Sequence, residues 1–270
     1  MTNLSRRGFF SRAATLAGAN RLAFARGEEI RLGVATYSLR KFKRTEAIAM
    51  IKQMGITWCN VKEFHLPYKD SPAELVAGVK EFQAAGLKIY GGGNISLAKD
   101  DDDDIRKYFE YAKTCKFGLM VIAPTAENMP RVERFVKEYN IKVAIHNHGP
   151  EDKHFPTPES ALKVVKDMDP RCGLCVDVGH AVRTGVDIIE QLQMAGPRLL
   201  DMHIKDLRDL KDKNSQCPVG QGKIPIPGIF AQLKKMKYPG FVSLEYEIDA
   251  DNPLAGMKES FDYMRRIAKG

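Results

Sequence analysis

Four residues of this 270-residue chain have the types and positions that suit a divalent metal ion: His146, Asp177, His203 and Glu245. His146 closes the apolar run Val143-Ala144-Ile145, and Asp177 follows Cys175-Val176. His203 sits within Asp201–Lys205, and Glu245 closes Val242-Ser243-Leu244. Each run reads as a strand, so each polar residue falls at or near a strand's end. Neighbouring strands lie about 4.8 Å apart, so four inward-pointing tips converge on one small volume. Two imidazoles and two carboxylates suit one divalent ion of the Mn, Zn, Co, Fe or Mg kind. Held there, such an ion polarises a carbonyl and stabilises the charge left when a proton is taken beside it. Glu245 is then the expected base, with His180 and Lys205 orienting hydroxyls or protonating a departing oxygen. His148 is the alternative to His146 as first ligand. Lys62, Glu63, His148, Arg183 and Glu247 are the candidate substrate-binding residues. Lys62, Glu63 and His65 crowd one strand end, and the pattern does not say which of them points inward.

The elements that must carry these residues alternate from residue 30 onward. Strands are expected at Arg31–Thr36, Thr57–Glu63, Leu87–Tyr90, Leu119–Ala123, Lys142–His146, Gly173–Asp177, Leu200–Lys205 and Phe241–Glu245. Amphipathic helical stretches fill the gaps, several opened by chemistry such as Ser71-Pro72 or Thr157-Pro158, where proline suits the first turn. Gly55 and Gly86 follow helices, as stops do. Eight β/α units without a linker predict a single closed (β/α)8 barrel over residues 30–270, with its active site at the C-terminal strand ends. By period-two alternation Asp201 and Lys205 share the face of His203, and Glu247 that of Glu245. His180 is expected in the loop after Asp177. Gly91-Gly-Gly93 and Gly220-Gln-Gly222 read as tight turns after strands, because the full dinucleotide-binding spacing is missing. Cys172-Gly-Leu-Cys175 places its sulfurs on opposite faces of a strand, which argues against joint chelation.

Residues 1–25 read as a twin-arginine export leader. Ser5-Arg6-Arg7-Gly8-Phe9-Phe10 precedes the apolar run Ala13–Ala19, and Ala23-Phe24-Ala25 offers a cleavage site. The expectation is a periplasmic or otherwise extracytoplasmic protein. With the leader's four arginines removed, the formal charge of +8 falls to +4. The remainder is scattered, without the basic stripe a nucleic acid needs. No run approaches the roughly 20 apolar residues of a membrane span. A small carbohydrate is the expected partner, and a homo-oligomer is left open.

The blocks His146-Asn-His-Gly-Pro-Glu-Asp152, Asp177-Val-Gly-His180, His203-Ile-Lys-Asp206, Gly220-Gln-Gly222 and Glu245-Tyr-Glu247 resemble the sugar phosphate isomerase/epimerase family. These are xylose isomerase-like TIM barrels, and the likeness covers nearly the whole chain after residue 30. The resemblance implies metal ligands at Asp177, His203 and Glu245, with His146 where the epimerases carry glutamate. That departure puts a two-carboxylate epimerisation in doubt. The leader and the His-Asn-His-Gly-Pro-Glu-Asp block resemble barrels acting on oxidised sugars or glycosides, some of which eliminate rather than isomerise. The resemblance thus leaves isomerase, epimerase and lyase open. A non-catalytic sugar-binding barrel is the rival from another class, and an abasic-site endonuclease would need more ligands than the early strand ends supply.

Overall fold

The computed structural model describes residues 30–269, so the leader expectation lies outside the described residues. Eight parallel strands close on themselves: Arg31–Ala35, Trp58–Val61, Lys88–Leu97, Leu119–Pro124, Lys142–His146, Cys172–Asp177, Leu199–Ile204 and Phe241–Leu244. Each is hydrogen-bonded to the next, and the eighth pairs with the first through Arg31–Phe241 to Val34–Leu244. The expected (β/α)8 barrel is what the chain forms. A two-residue antiparallel ribbon, Asp206–Leu207 with Gln216–Cys217, follows the seventh strand.

The helices begin where capping chemistry lets them. Ser71 accepts from the Glu74 amide, Glu74 reaches back to the Ser71 amide, and Pro72 opens the helix Pro72–Ala84. Asp101 accepts from the Asp104 amide to cap Asp102–Thr114, whose first turn holds Asp102, Asp103 and Asp104 near its positive end. Gly55 and Gly86 stop the helices before them at φ +65° and +81°, a region open to glycine at no steric cost. Ser71→Ala is expected to lower stability by about 1 kcal/mol, read as a lower urea midpoint at unchanged slope. No described helix is long and apolar enough to cross a membrane.

Most of the core lies between the sheet and the helix ring, where Phe82, Phe109, Phe135, Phe230 and Phe261 are fully buried. Inside the barrel the filling is smaller, with Val121, Ala144 and Cys175 in one cluster against Tyr90 and Leu200.

Two local expectations need correction. The third strand runs on to Leu97, so Gly91-Gly-Gly93 is strand rather than turn. A Cβ at Gly92 would strike the Phe117 ring, and one at Gly93 the Val121 carbonyl. The glycines therefore permit close packing inside a sheet, as strand glycines do. His180 is likewise not in a loop. It lies in the short helix Val178–Arg183, which Asp177 caps through the His180 amide at 2.8 Å.

Candidate active site

Asp177 and Glu245 reach the barrel mouth by different routes. Asp177 ends the sixth strand, in register with His203 on the seventh. Its Oδ1 caps the following helix, which turns Oδ2 toward the barrel axis. Glu245 lies one residue past the eighth strand, held by its amide on the Ile204 carbonyl. His146 is the last residue of the fifth strand and is buried.

The four side chains meet. His146 Nε2 stands 3.0 Å from His203 Nδ1, 3.5 Å from Asp177 Oδ2 and 3.9 Å from Glu245 Oε2. His203 Nδ1 is 3.3 Å from Glu245 Oε1. One potential ligand atom from each lies within 4.8 Å of every other. Lys205 sits among them, its Nζ 3.0 Å from Asp177 Oδ2, 3.0 Å from Glu245 Oε2 and 2.6 Å from Glu247 Oε2.

Electrostatics fix the charge states. Burial drives the His146 imidazole down to about 3, so it stays neutral, the form that ligates metals. Burial also opposes charge on His203, but Glu245, Asp201 and Asp177 outweigh it and hold that imidazole above its usual value. For Asp177 and Glu245 burial is the largest influence and favours the acid, but Lys205 together with the neighbouring histidines outweighs it, so both carboxyls stay ionised. The same carboxylates overcome the burial of Lys205 and keep it an ammonium.

These residues fit a divalent ion. Buried Asp177 and Glu245, with the one-third-exposed Glu247 beside them, bring three negative charges against one ammonium, and unpaired buried charge is costly. A cation of charge two offsets the surplus. Asp177 Oδ2, which faces His146 Nε2, also accepts no aligned hydrogen bond, and buried polar atoms ordinarily have partners.

Above the quartet opens a cavity of about 190 Å³. His146 and Glu245 form its floor, and Tyr37, Lys62, Asn94, His148, His180 and Glu247 its walls. A larger depression of about 580 Å³ lies against the last helix, between Gly220 and Arg266. It exposes no part of the quartet, so the chemistry belongs to the smaller cavity.

The sequence candidates separate here. Lys62 faces the cavity and donates to the Asn94 carbonyl at 2.9 Å. Glu63 is not among the residues lining the cavity: its Oε2 accepts from Tyr68 at 3.4 Å and lies 3.9 Å from Lys62 Nζ. The second strand ends at Val61, and the chain then turns through Lys62–Leu66. His65 is buried against Thr36. Arg183 also misses the cavity. Its guanidinium holds Glu151 at 2.6 and 2.7 Å and donates to the His148 carbonyl and to His180 Nδ1. Arg183 therefore fixes the His180 tautomer, leaving that ring's proton on Nε2. Lys205 is enclosed by carboxylates and is not on the cavity wall, which makes it a positioning group rather than a proton donor. Asp201 lies beneath His203, where Tyr90 donates to it at 3.1 Å and burial pushes its carboxyl up to about 7. The amides of Gly220, Gly222 and Ile224 are taken by the Asp206 carboxylate, so that loop has no free anion cradle.

Tyr37 and Asn94 went unnoticed in the sequence. Tyr37 follows the first strand's tip and obeyed the same strand-end rule. Asn94 was hidden because the third strand continues through its glycines.

The Glu151–Arg183 pair has a pH signature. Arg183 pulls the Glu151 carboxyl from its ordinary 4.5 down to about 2. A carboxylate lowered on folding stabilises above its unfolded value, and that contribution fades as pH falls from about 4.5 toward 2. Glu151→Gln is expected to flatten the melting temperature over that window. An unchanged acid limb would show that the pair contributes nothing.

The sequence model of the xylose isomerase-like TIM barrel family matches residues 48–267. The chain belongs to this family. Within reach of this xylose isomerase-like barrel is an inosose dehydratase of Mesomycoplasma hyopneumoniae, 29% identical over 161 residues, 53% of this chain and 53% of that protein. The chain spans about half the length of such curated relatives. Among solved structures, a D-psicose 3-epimerase with D-fructose superposes with a TM-score of 0.72 at 16% identity, covering 89% of this chain and 100% of that one. The IOLI protein with a bound zinc atom gives 0.74 at 18% identity, covering 88% and 99%. At such identities these two show the shared fold.

Proposed function

We propose that this barrel is a metal-dependent enzyme that removes a proton beside the carbonyl of a small ketosugar, inosose or oxidised glycoside. The observation that carries the reading is Glu245, which belongs to the four-residue ligand cluster and also lines the cavity. Asp177 belongs to the cluster alone. A divalent ion held by His146, Asp177, His203 and Glu245 would supply Lewis-acid polarisation of a substrate carbonyl.

The chain's own groups do the rest. Glu245 accepts the proton from the carbon, and the C–H electron pair moves toward the carbonyl oxygen. Lys62, Asn94 and Glu247 hold hydroxyls around a single ring, which a cavity of about 190 Å³ suits. The Nε2 proton of His180 is placed to be delivered on the far side of the transfer. Returned to carbon, a proton completes isomerisation or epimerisation. Delivered to a departing hydroxyl, it completes dehydration. Relatives named for inosose dehydration and psicose 3-epimerisation support that shared first step. With His146 in place of a second glutamate, Glu245 is the one quartet carboxylate that lines the cavity, which favours the eliminating branch. The reading retains the exported location expected from Arg6-Arg7.

The test is metal analysis of purified protein, then NMR of ketoses, inososes and 3-keto-glycosides incubated in heavy water. Deuterium at the carbon beside the carbonyl is expected. Bound sugar with neither exchange nor turnover favours a binding barrel and overturns the enzymatic reading.

A further inference from the structure

Cys175 lies two residues before Asp177 on the sixth strand, so its side chain shares the inward face. It is in register with His146 on one side and Asp201 on the other. Its thiol is enclosed in the barrel interior, and sulfur and imidazole nitrogens of Cys175, His146 and His203 lie within 4.8 Å of one another. Ligands around a tetrahedral ion stand about 3.3–3.6 Å apart at zinc–nitrogen and zinc–sulfur bond lengths of about 2.0–2.3 Å. His146 Nδ1 and His203 Nε2 are buried without hydrogen-bond partners, so each ring has a nitrogen free for such an ion. The other four cysteines are buried too, but none joins two histidines in this way among the described residues.

We propose that the barrel contains a second, deeper ion position, His146–Cys175–His203, which takes thiophilic divalent ions such as cadmium or zinc. The inference rests on the quartet reading, because both imidazoles are shared. Thiolate favours soft ions, whereas the Asp177 and Glu245 carboxylates above favour manganese or magnesium. On binding, the ion replaces the thiol proton, which leaves to solvent, and no electron transfer is involved. A soft ion held at this depth opposes occupancy of the upper position by charge repulsion across the two shared rings. Cys175 thereby sets which metals support the activity and which poison it.

The experiment titrates metal-free protein with cadmium and follows the ultraviolet sulfur-to-cadmium charge-transfer band. Manganese binding is measured in parallel. The wild type is expected to develop the band at one ion per chain. Cys175→Ser and Cys175→Ala should lose it, keep manganese affinity, and bind cadmium at least about 10–100-fold more weakly, the loss caused by removing even an outer partner of a metal ligand. Cadmium bound without the band, or a band that survives in both variants, overturns the deeper position. If manganese binds in either case, the quartet stands. Failure of every ion to bind overturns both readings. Circular dichroism melts of the two variants separate loss of a ligand from loss of fold.

Discussion

Glu245→Gln is expected to lower kcat by about 10²–10⁴-fold, the usual contribution of a positioned acid or base. KM should change far less. Glutamine keeps the size of the side chain and its place in the cavity, but it cannot take a proton from carbon. It also removes one negative charge beside Lys205 and one anionic donor from the quartet. Metal content must therefore be measured with the rate. If the variant still holds its ion and deuterium exchange at the substrate carbon disappears, the lost function is the base. Should exchange continue at the wild-type rate with the ion bound, Glu245 is not the base, and Glu247 and His180 are the next groups on the wall.

Lys205→Met should destabilise the metal-free protein by about 3–5 kcal/mol, the cost of breaking a buried ion pair from one side. The ammonium is 3% exposed and touches Asp177, Glu245 and Glu247. Methionine fills much of the same volume, so the loss is chiefly one of charge. For a domain of this size each kcal/mol moves the melting point by about 2–4 °C, giving a drop on the order of 10 °C. Manganese or zinc should restore most of it, because an ion among the same carboxylates supplies the missing positive charge. The measurement is a pair of thermal melts, with and without metal, for each protein. Equal losses in both conditions would mean that Lys205 and the ion do not serve the same carboxylates.

The barrel was legible because eight short apolar runs alternated with helical stretches whose caps are written locally. Ser71-Pro72, Thr157-Pro158, Gly55 and Gly86 each act within a few residues of themselves. The quartet was legible for a related reason: parallel neighbouring strands carry their end residues to one place whatever the helices do. His146, Asp177, His203 and Glu245 could thus be placed together before any packing was known. Cys172 and Cys175 followed the same period, one sulfur in the outer core and the other inside the barrel.

What the sequence could not supply was the division of labour around that cluster. Lys62 and Glu63 are adjacent in the chain, and only the turn after Val61 sends the ammonium into the cavity and the carboxylate toward Tyr68. Arg183 looked like a substrate contact until the helix from Val178 to Arg183 laid it across Glu151 and His180. Lys205 looked like a proton donor until three carboxylates from neighbouring strand ends enclosed it. Strand order and period set which residues approach the axis. Which of them touches substrate depends on ion pairs between segments far apart in sequence, and those exist only once the barrel has closed.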